Sequence, residues 1–125
     1  MKVRVTLLRT DRETGEETIL ADGIGMRKDG RITYFEKDTK FKHVLEADAV
    51  SMKVSRYGDV TTHTCLYQTK PCITRVESGY GTFEIELKLI AYKNEGDRIT
   101  AEYHVMSGNE TAFRIRMVWT VRAVS

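Results

Sequence analysis

The feature that most constrains this chain is a two-residue alternation of apolar and polar side chains, repeated in segment after segment. That is the period of a β-strand and not of a helix. In Phe83-Glu84-Ile85-Glu86-Leu87-Lys88-Leu89 the odd positions are apolar and the even ones charged. The same parity sets Ile99, Ala101, Tyr103 and Val105 against Thr100, Glu102 and His104, and Ile115, Met117, Trp119 and Val121 against Arg114, Arg116 and Arg122. Val3, Val5 and Leu7 repeat it near the N-terminus, and Val50, Met52 and Val54 repeat it in the middle. Each such strand has one apolar face and one wet face.

Hairpin signals separate the strands: Thr14-Gly15, Asp29-Gly30, Tyr57-Gly58-Asp59, Asn94-Glu95-Gly96-Asp97 and Ser107-Gly108-Asn109. Asp-Gly is the strongest, because a type I′ turn needs positive φ at both central residues. Counting segments gives about nine or ten strands at the short, regular spacing of a sandwich or barrel. Val44 to Met52 is the one stretch compatible with a short helical turn. A sheet of that width, apolar on one face and with no helix to cover it, must roll up or fold over on itself. The expected fold is all-β: an antiparallel closed barrel formed as a single domain over residues 1–125, with a two-sheet β-sandwich as the alternative.

Pairing parity adds two expectations. If the turn from Ser107 to Glu110 joins the last two strands with their apolar faces aligned, Glu102 falls opposite Arg114 or Arg116. Closing the barrel brings the first strand beside the last, so Lys2 and Arg4 approach Arg114, Arg116 and Arg122.

Composition narrows the partners little. The 20 basic and 18 acidic side chains nearly cancel, so any electrostatic attraction must come from a local patch. The N-terminus lacks the apolar stretch of a secretory signal, and no apolar run reaches bilayer length, so the expectation is a cytoplasmic chain with no membrane partner. Two cysteines, Cys65 and Cys72, are too few for a secreted disulfide scaffold of this length, and free thiols are the default.

With the strands laid out, the chain resembles the YwiB-like family of uncharacterised bacterial calycin-like barrels. The residues that carry the resemblance are Gly23-Ile24 leading to Lys28-Asp29-Gly30-Arg31-Ile32-Thr33-Tyr34-Phe35-Glu36, then Ser55-Arg56-Tyr57-Gly58, then Gly79-Tyr80-Gly81-Thr82-Phe83. The similarity extends from about Val3 to Val121. It implies a lipocalin-like barrel without an assigned activity. Cys65 and Cys72 stand outside the family's pattern, and Tyr34-Phe35-Glu36-Lys37 lacks a second acidic residue.

Chemistry-bearing residues are sparse. His43, His63 and His104 lie far apart, and none sits in a nucleophile or metalloprotease motif, so the chain reads as a non-enzyme. His63 and Cys65 are two apart and share a strand face. A turn over Tyr67 to Lys70 would make Cys72 a cross-strand neighbour of Cys65, yet a structural zinc site wants four ligands. No metal or other cofactor is expected. Gly79-Tyr80-Gly81 has too few glycines to cradle a phosphate and reads as a strand bulge or corner.

The interior draws on Val5, Leu7, Met52, Phe83, Leu87, Tyr103, Met117 and Trp119. Small barrels are either filled by such side chains or keep room for one small ligand. By resemblance to the lipocalin-like fold, the expected function is binding of a small, mostly apolar molecule inside the barrel or at its mouth. Tyr34, Tyr80, Tyr103 and Trp119 are the candidate ligand contacts. The alternative is a surface module whose basic face, Lys2, Arg4, Arg114, Arg116 and Arg122, binds nucleic acid or an acidic protein.

Overall fold

Ten antiparallel strands follow one another around a closed barrel, each hydrogen-bonded to its neighbours in sequence, and the last returns to the first. The computed structural model describes residues 1–124. The strands are β1 (Lys2–Asp11), β2 (Glu17–Lys28), β3 (Arg31–Phe35), β4 (Lys42–Ala47), β5 (Ser51–Tyr57), β6 (Thr61–Tyr67), β7 (Cys72–Ser78), β8 (Gly81–Asn94), β9 (Arg98–Ser107) and β10 (Glu110–Ala123). Closure rests on nine β1–β10 pairs, from Val3↔Ala123 to Asp11↔Ile115. The barrel therefore replaces the sandwich alternative, and closure abolishes both sheet edges. There is no helix among the described residues, and so none long and apolar enough to cross a membrane.

The turns fall where the small and amide residues put them. Asp29 and Gly30 both take positive φ, 52° and 77°, as a two-residue hairpin turn demands. Gly79-Tyr80 differs from the expected strand corner: Ser78 pairs with Gly81, so these residues are the two-residue tip of the β7–β8 hairpin. The bulges lie elsewhere, between Leu7 and Leu8, Leu89 and Ala91, and Thr111 and Phe113. Val44 to Met52 contains no helical turn. Val44 lies in β4 and Met52 in β5, while Val50 sits half-exposed in the turn between them and not on the apolar face.

Strand direction gives the barrel two ends. The 28–31, 47–51, 67–72 and 94–98 connections, the start of β1 and the end of β10 sit at one end, while the 11–17, 36–41, 57–61, 78–81 and 107–110 connections sit at the other. The first end is packed solid. Val3, Val5, Leu7, Ala21, Ile32, Leu45, Met52, Leu66, Cys72, Leu87, Ile99, Ala101, Trp119 and Val121 form its buried core. Gly25 lets β2 close against β3 there, since a Cβ would lie 2.5 Å from the Thr33 carbonyl oxygen. Toward the other end, Tyr103 and Met117 face inward but are only partly buried, and Phe83, expected in the interior, stands 54% exposed at the rim. The inward parity holds along each run between bulges, which shift it by one residue on β2, β8 and β10; filling of the barrel does not hold.

Register corrects one sequence expectation and bears out another. Cys65 pairs with Ile73, so Cys72 is out of step by one residue and faces the interior while Cys65 faces outward. They are not cross-strand neighbours, and both are free thiols. Glu102 does sit opposite Arg116, but its carboxylate is engaged by Arg12 at 3.1 Å.

Candidate functional site

At the loosely packed end an open cavity of about 320 Å³ penetrates the barrel, walled by Leu20, Met52, Val54, Leu66, Met117 and Trp119 and lined on its polar side by Arg9, Glu36, His43, Arg56, Thr62, Thr64 and Tyr103. A second lobe of about 360 Å³ shares Arg9, Arg56, Tyr103 and Met117 with it and adds Thr74, Ile85, Val105, Phe113 and Ile115. The volumes fall in the range of small-molecule sites, about 300 to 1,000 Å³. Strand parity explains the lining. Arg9 continues the inward series Val3, Val5, Leu7, and Arg56 continues Met52, Val54, so the series that fills the floor ends in a cation near the mouth.

Beneath the polar wall runs a chain of buried hydrogen bonds. The Trp119 indole N–H donates to the Tyr34 hydroxyl at 2.8 Å, and that hydroxyl lies 3.1 Å from His43 Nδ1. His43 Nε2 lies 2.7 Å from Glu36 Oε1. Because the tyrosine oxygen already accepts from the indole, its proton points at Nδ1, and the neutral imidazole carries its own proton on Nε2, donating to the carboxylate. Glu36 also accepts from Thr39 Oγ1 at 2.6 Å and from Arg56 Nε. The ring of Phe41 stacks under the Arg56 guanidinium, 4.8 Å away.

These contacts set the charges. Burial pushes the Glu36 carboxyl upward, but hydrogen bonds from Arg56, Thr39 and His43 outweigh it and bring it down to about 2. Burial lowers His43 below the usual imidazole value despite the opposing pull of Glu36, which keeps it neutral. Burial raises both Tyr34 and Tyr103, so both hydroxyls stay protonated. The wall thus holds one neutralised pair, Glu36 with Arg56, and a further cation, Arg9, which has no hydrogen-bonding or ion-pair partner among the described residues.

The sequence-derived residues separate on this geometry. Tyr103 and Trp119 line the cavity. Tyr34 is buried behind it at 1% exposure and touches it only through His43 and Trp119. Tyr80 is fully exposed at the hairpin tip and lines neither lobe, so it is not an interior contact. Arg9, Glu36, His43 and Arg56 were missed. The parity that located the core also marks Arg9 and Arg56, as charged residues at inward positions.

Lys2, Arg4, Arg114, Arg116 and Arg122 do share the outer face of β1 and β10, with Arg4 opposite Arg122. They do not form one stripe: Val118 and Thr120 separate Arg116 from Arg122 by about 20 Å of strand. Arg4 is also paired with Asp22 at 2.8 Å.

A second polar cluster lies on the outer wall. Ser55 Oγ is 2.7 Å from His63 Nδ1, and His63 Nε2 is 3.8 Å from Glu77. The order of groups is that of a nucleophile, base and acid. All three stand within paired strand segments, where backbone N–H groups serve the ladder and not an oxyanion. Cys72 lies on the other face of the sheet, so His63, Cys65 and Cys72 do not converge on a metal.

The fold and cavity together define a ten-stranded antiparallel meander barrel, filled at one end and open at the other. A solved structure of this architecture is the YwiB protein from Bacillus subtilis. The two superpose with a TM-score of 0.68 over 99% of this chain and 91% of that one, at 17% sequence identity. No protein-family model matches the chain, and no curated protein does. The likeness to YwiB is one of fold.

Proposed function

We propose that the protein is a non-enzymatic carrier or sensor that holds a small, largely apolar molecule in the open half of the barrel. The observation that carries this reading is the cavity itself: a pocket of about 320 Å³ with an apolar wall, reached from one end of an otherwise solid barrel. Aliphatic and aromatic walls with a few fixed polar groups are the usual composition of a small-molecule site. Half-exposed Phe83 and Phe113 at the open end support the reading, since apolar rings at an entrance favour an apolar guest over bulk water. The outer basic residues support a nucleic-acid reading less well, being split along the strand and partly neutralised.

Native mass spectrometry of protein purified from its own host, followed by organic extraction, tests the proposal. A stoichiometric bound molecule that is released by solvent is the expected result. An apo mass, together with no change in Trp119 fluorescence across a panel of apolar compounds, would refute it.

A further inference from the structure

The polar lining of the cavity narrows the guest further. We infer that the cavity takes an amphipathic monocarboxylate, its carboxylate held by Arg9 and the Tyr103 hydroxyl and its apolar tail lying along the wall formed by Ile85, Val105 and Ile115. This rests on the proposal that the cavity binds a small molecule, and it adds the chemical class.

Charge carries the argument. Three ionisable residues in the wall are charged: Arg9, Arg56 and Glu36. Arg56 is matched by Glu36, which it contacts through Nε and through a second nitrogen at 3.4 Å. The fourth, His43, is neutral in the hydrogen-bond chain described above. The wall of the two lobes therefore carries a net charge of one, positive, and it belongs to Arg9, which also borders Asp11 and Glu16 in an adjoining recess but forms no ion pair with either. A monoanion completes the charge balance. A neutral lipid leaves Arg9 unmatched, and a dianion exceeds it.

Hydrogen-bond supply agrees. Arg9 has no partner among the described residues and offers several guanidinium donors. The Tyr103 hydroxyl also has no protein partner among the described residues, although its ring packs against the core. Thr64 and Thr74, by contrast, hydrogen-bond each other at 3.0 Å, which leaves only one short hydroxyl donor between them. Among the longer side chains that can reach a head group, Arg9 and Tyr103 carry donors with no protein partner among the described residues, and both line both lobes. A planar, two-oxygen acceptor fits a guanidinium fork better than a lone hydroxyl does. Arg9 stands at the mouth, where a charged head group keeps part of its hydration while the tail is buried.

Octanoate and 1-octanol share a tail and differ in head group, so their comparison tests the class. Binding is read by titration calorimetry and by Trp119 fluorescence, on the full chain. Octanoate is expected to bind about tenfold more tightly than octanol at low salt, with its affinity falling as salt rises and that of octanol unchanged. Arg9→Gln is expected to abolish the preference while leaving octanol binding intact. Arg114→Gln, on the outer wall, is expected to leave both unchanged, and Arg9→Lys to retain part of the preference. Equal binding of the two probes, or a preference that survives Arg9→Gln, overturns the carboxylate assignment but leaves the apolar cavity standing. Failure of both probes to bind overturns both proposals.

Discussion

Replacing Tyr34 by Phe removes one oxygen and leaves the ring, so it isolates the hydroxyl that joins the Trp119 indole to the His43 imidazole. Both neighbours are buried, Trp119 at 1% and His43 at 5% exposure, and neither has another partner for the nitrogen concerned among the described residues. Leaving a buried donor or acceptor unmatched costs about 1–3 kcal/mol. Two such groups, with some relaxation toward the cavity, give an expected loss of about 2–4 kcal/mol, or roughly 10 °C in Tm for a domain of this size. Trp119 is the only tryptophan in the chain, so urea unfolding followed by its fluorescence measures the change directly. Tyr92→Phe is the control. Its hydroxyl also makes two hydrogen bonds, to the carbonyls of Asp48 and Ser51, but in a setting that water reaches, and the expected cost is below about 1 kcal/mol. If Tyr34→Phe costs no more than Tyr92→Phe, the hydrogen-bond chain does not stabilise the barrel as argued.

Stability should fall with acid over two successive pH ranges. His43 has a folded pKa below its unfolded value, so the stability it contributes is complete above about pH 6.5 and declines as pH falls below that. Glu36, lowered from 4.5 to about 2, contributes stability that is complete above about pH 4.5 and is lost as pH falls toward 2. The shift corresponds to about 3 kcal/mol at most, and screening near the partly exposed Arg56 reduces this to about 1–2 kcal/mol. In Glu36→Gln the loss between pH 4.5 and 2 should shrink; an unchanged acid profile, measured by urea unfolding at each pH, would contradict the assignment. Gly25→Ala should cost about 2–3 kcal/mol because the added methyl meets the Thr33 backbone, whereas Gly23→Ala, with nothing within 4 Å, should be nearly silent toward sterics; equal stabilities on thermal melting would refute the close approach. Cys65 should react with a thiol reagent well before Cys72, and mild oxidation should yield no intramolecular disulfide, because the two face opposite sides of the sheet; recovery of that disulfide by mass spectrometry would refute the register.

The barrel was legible because the strands alternate over long runs between bulges, and ten one-sided strands without a helix leave few ways to cover the apolar face. Register of the last hairpin was legible for the same reason: Glu102 falls opposite Arg116 once Ile115 and Tyr103 share a side. The errors came where a count of one decides the outcome. A turn one residue longer than supposed sends Cys72 inward and Cys65 outward, and Gly79-Tyr80 looks like a strand corner until Ser78 is seen to pair with Gly81. The site was only half legible. Trp119 and Tyr103 were found as large residues at inward positions, but Arg9 and Arg56 were passed over, because a charged residue at the end of a strand is ordinarily read as exposed. Glu36 and His43 gave no local signal at all, since their meeting depends on the β3–β4 hairpin.

Why the barrel is hollow at one end only follows from three threonines. Along β6 the inward positions run Thr62, Thr64, Leu66, and on β7 Thr74 stands opposite Thr64. Leu66 reaches the core, whereas the threonines are too short to cross the barrel and meet Tyr103 or Met117. Thr64 and Thr74 bond each other, so the pair asks for less water from the cavity than two separate hydroxyls would. A wall of small side chains, two of them sharing a hydrogen bond, leaves space whose water is less costly to displace on this side than it would be beside separate hydroxyls. Substituting Thr64 with Leu would fill the space, and two consequences should separate. Stability should rise or hold, because apolar surface replaces solvent-filled volume at a partly open site, with the Thr74 hydroxyl turning to cavity water. Octanol and octanoate binding should both fall, by at least about tenfold if the tail occupies this space. A Thr64→Leu variant that is as stable as the parent and still binds both probes at parent affinity would show that the hollow end of the barrel is not where a guest resides.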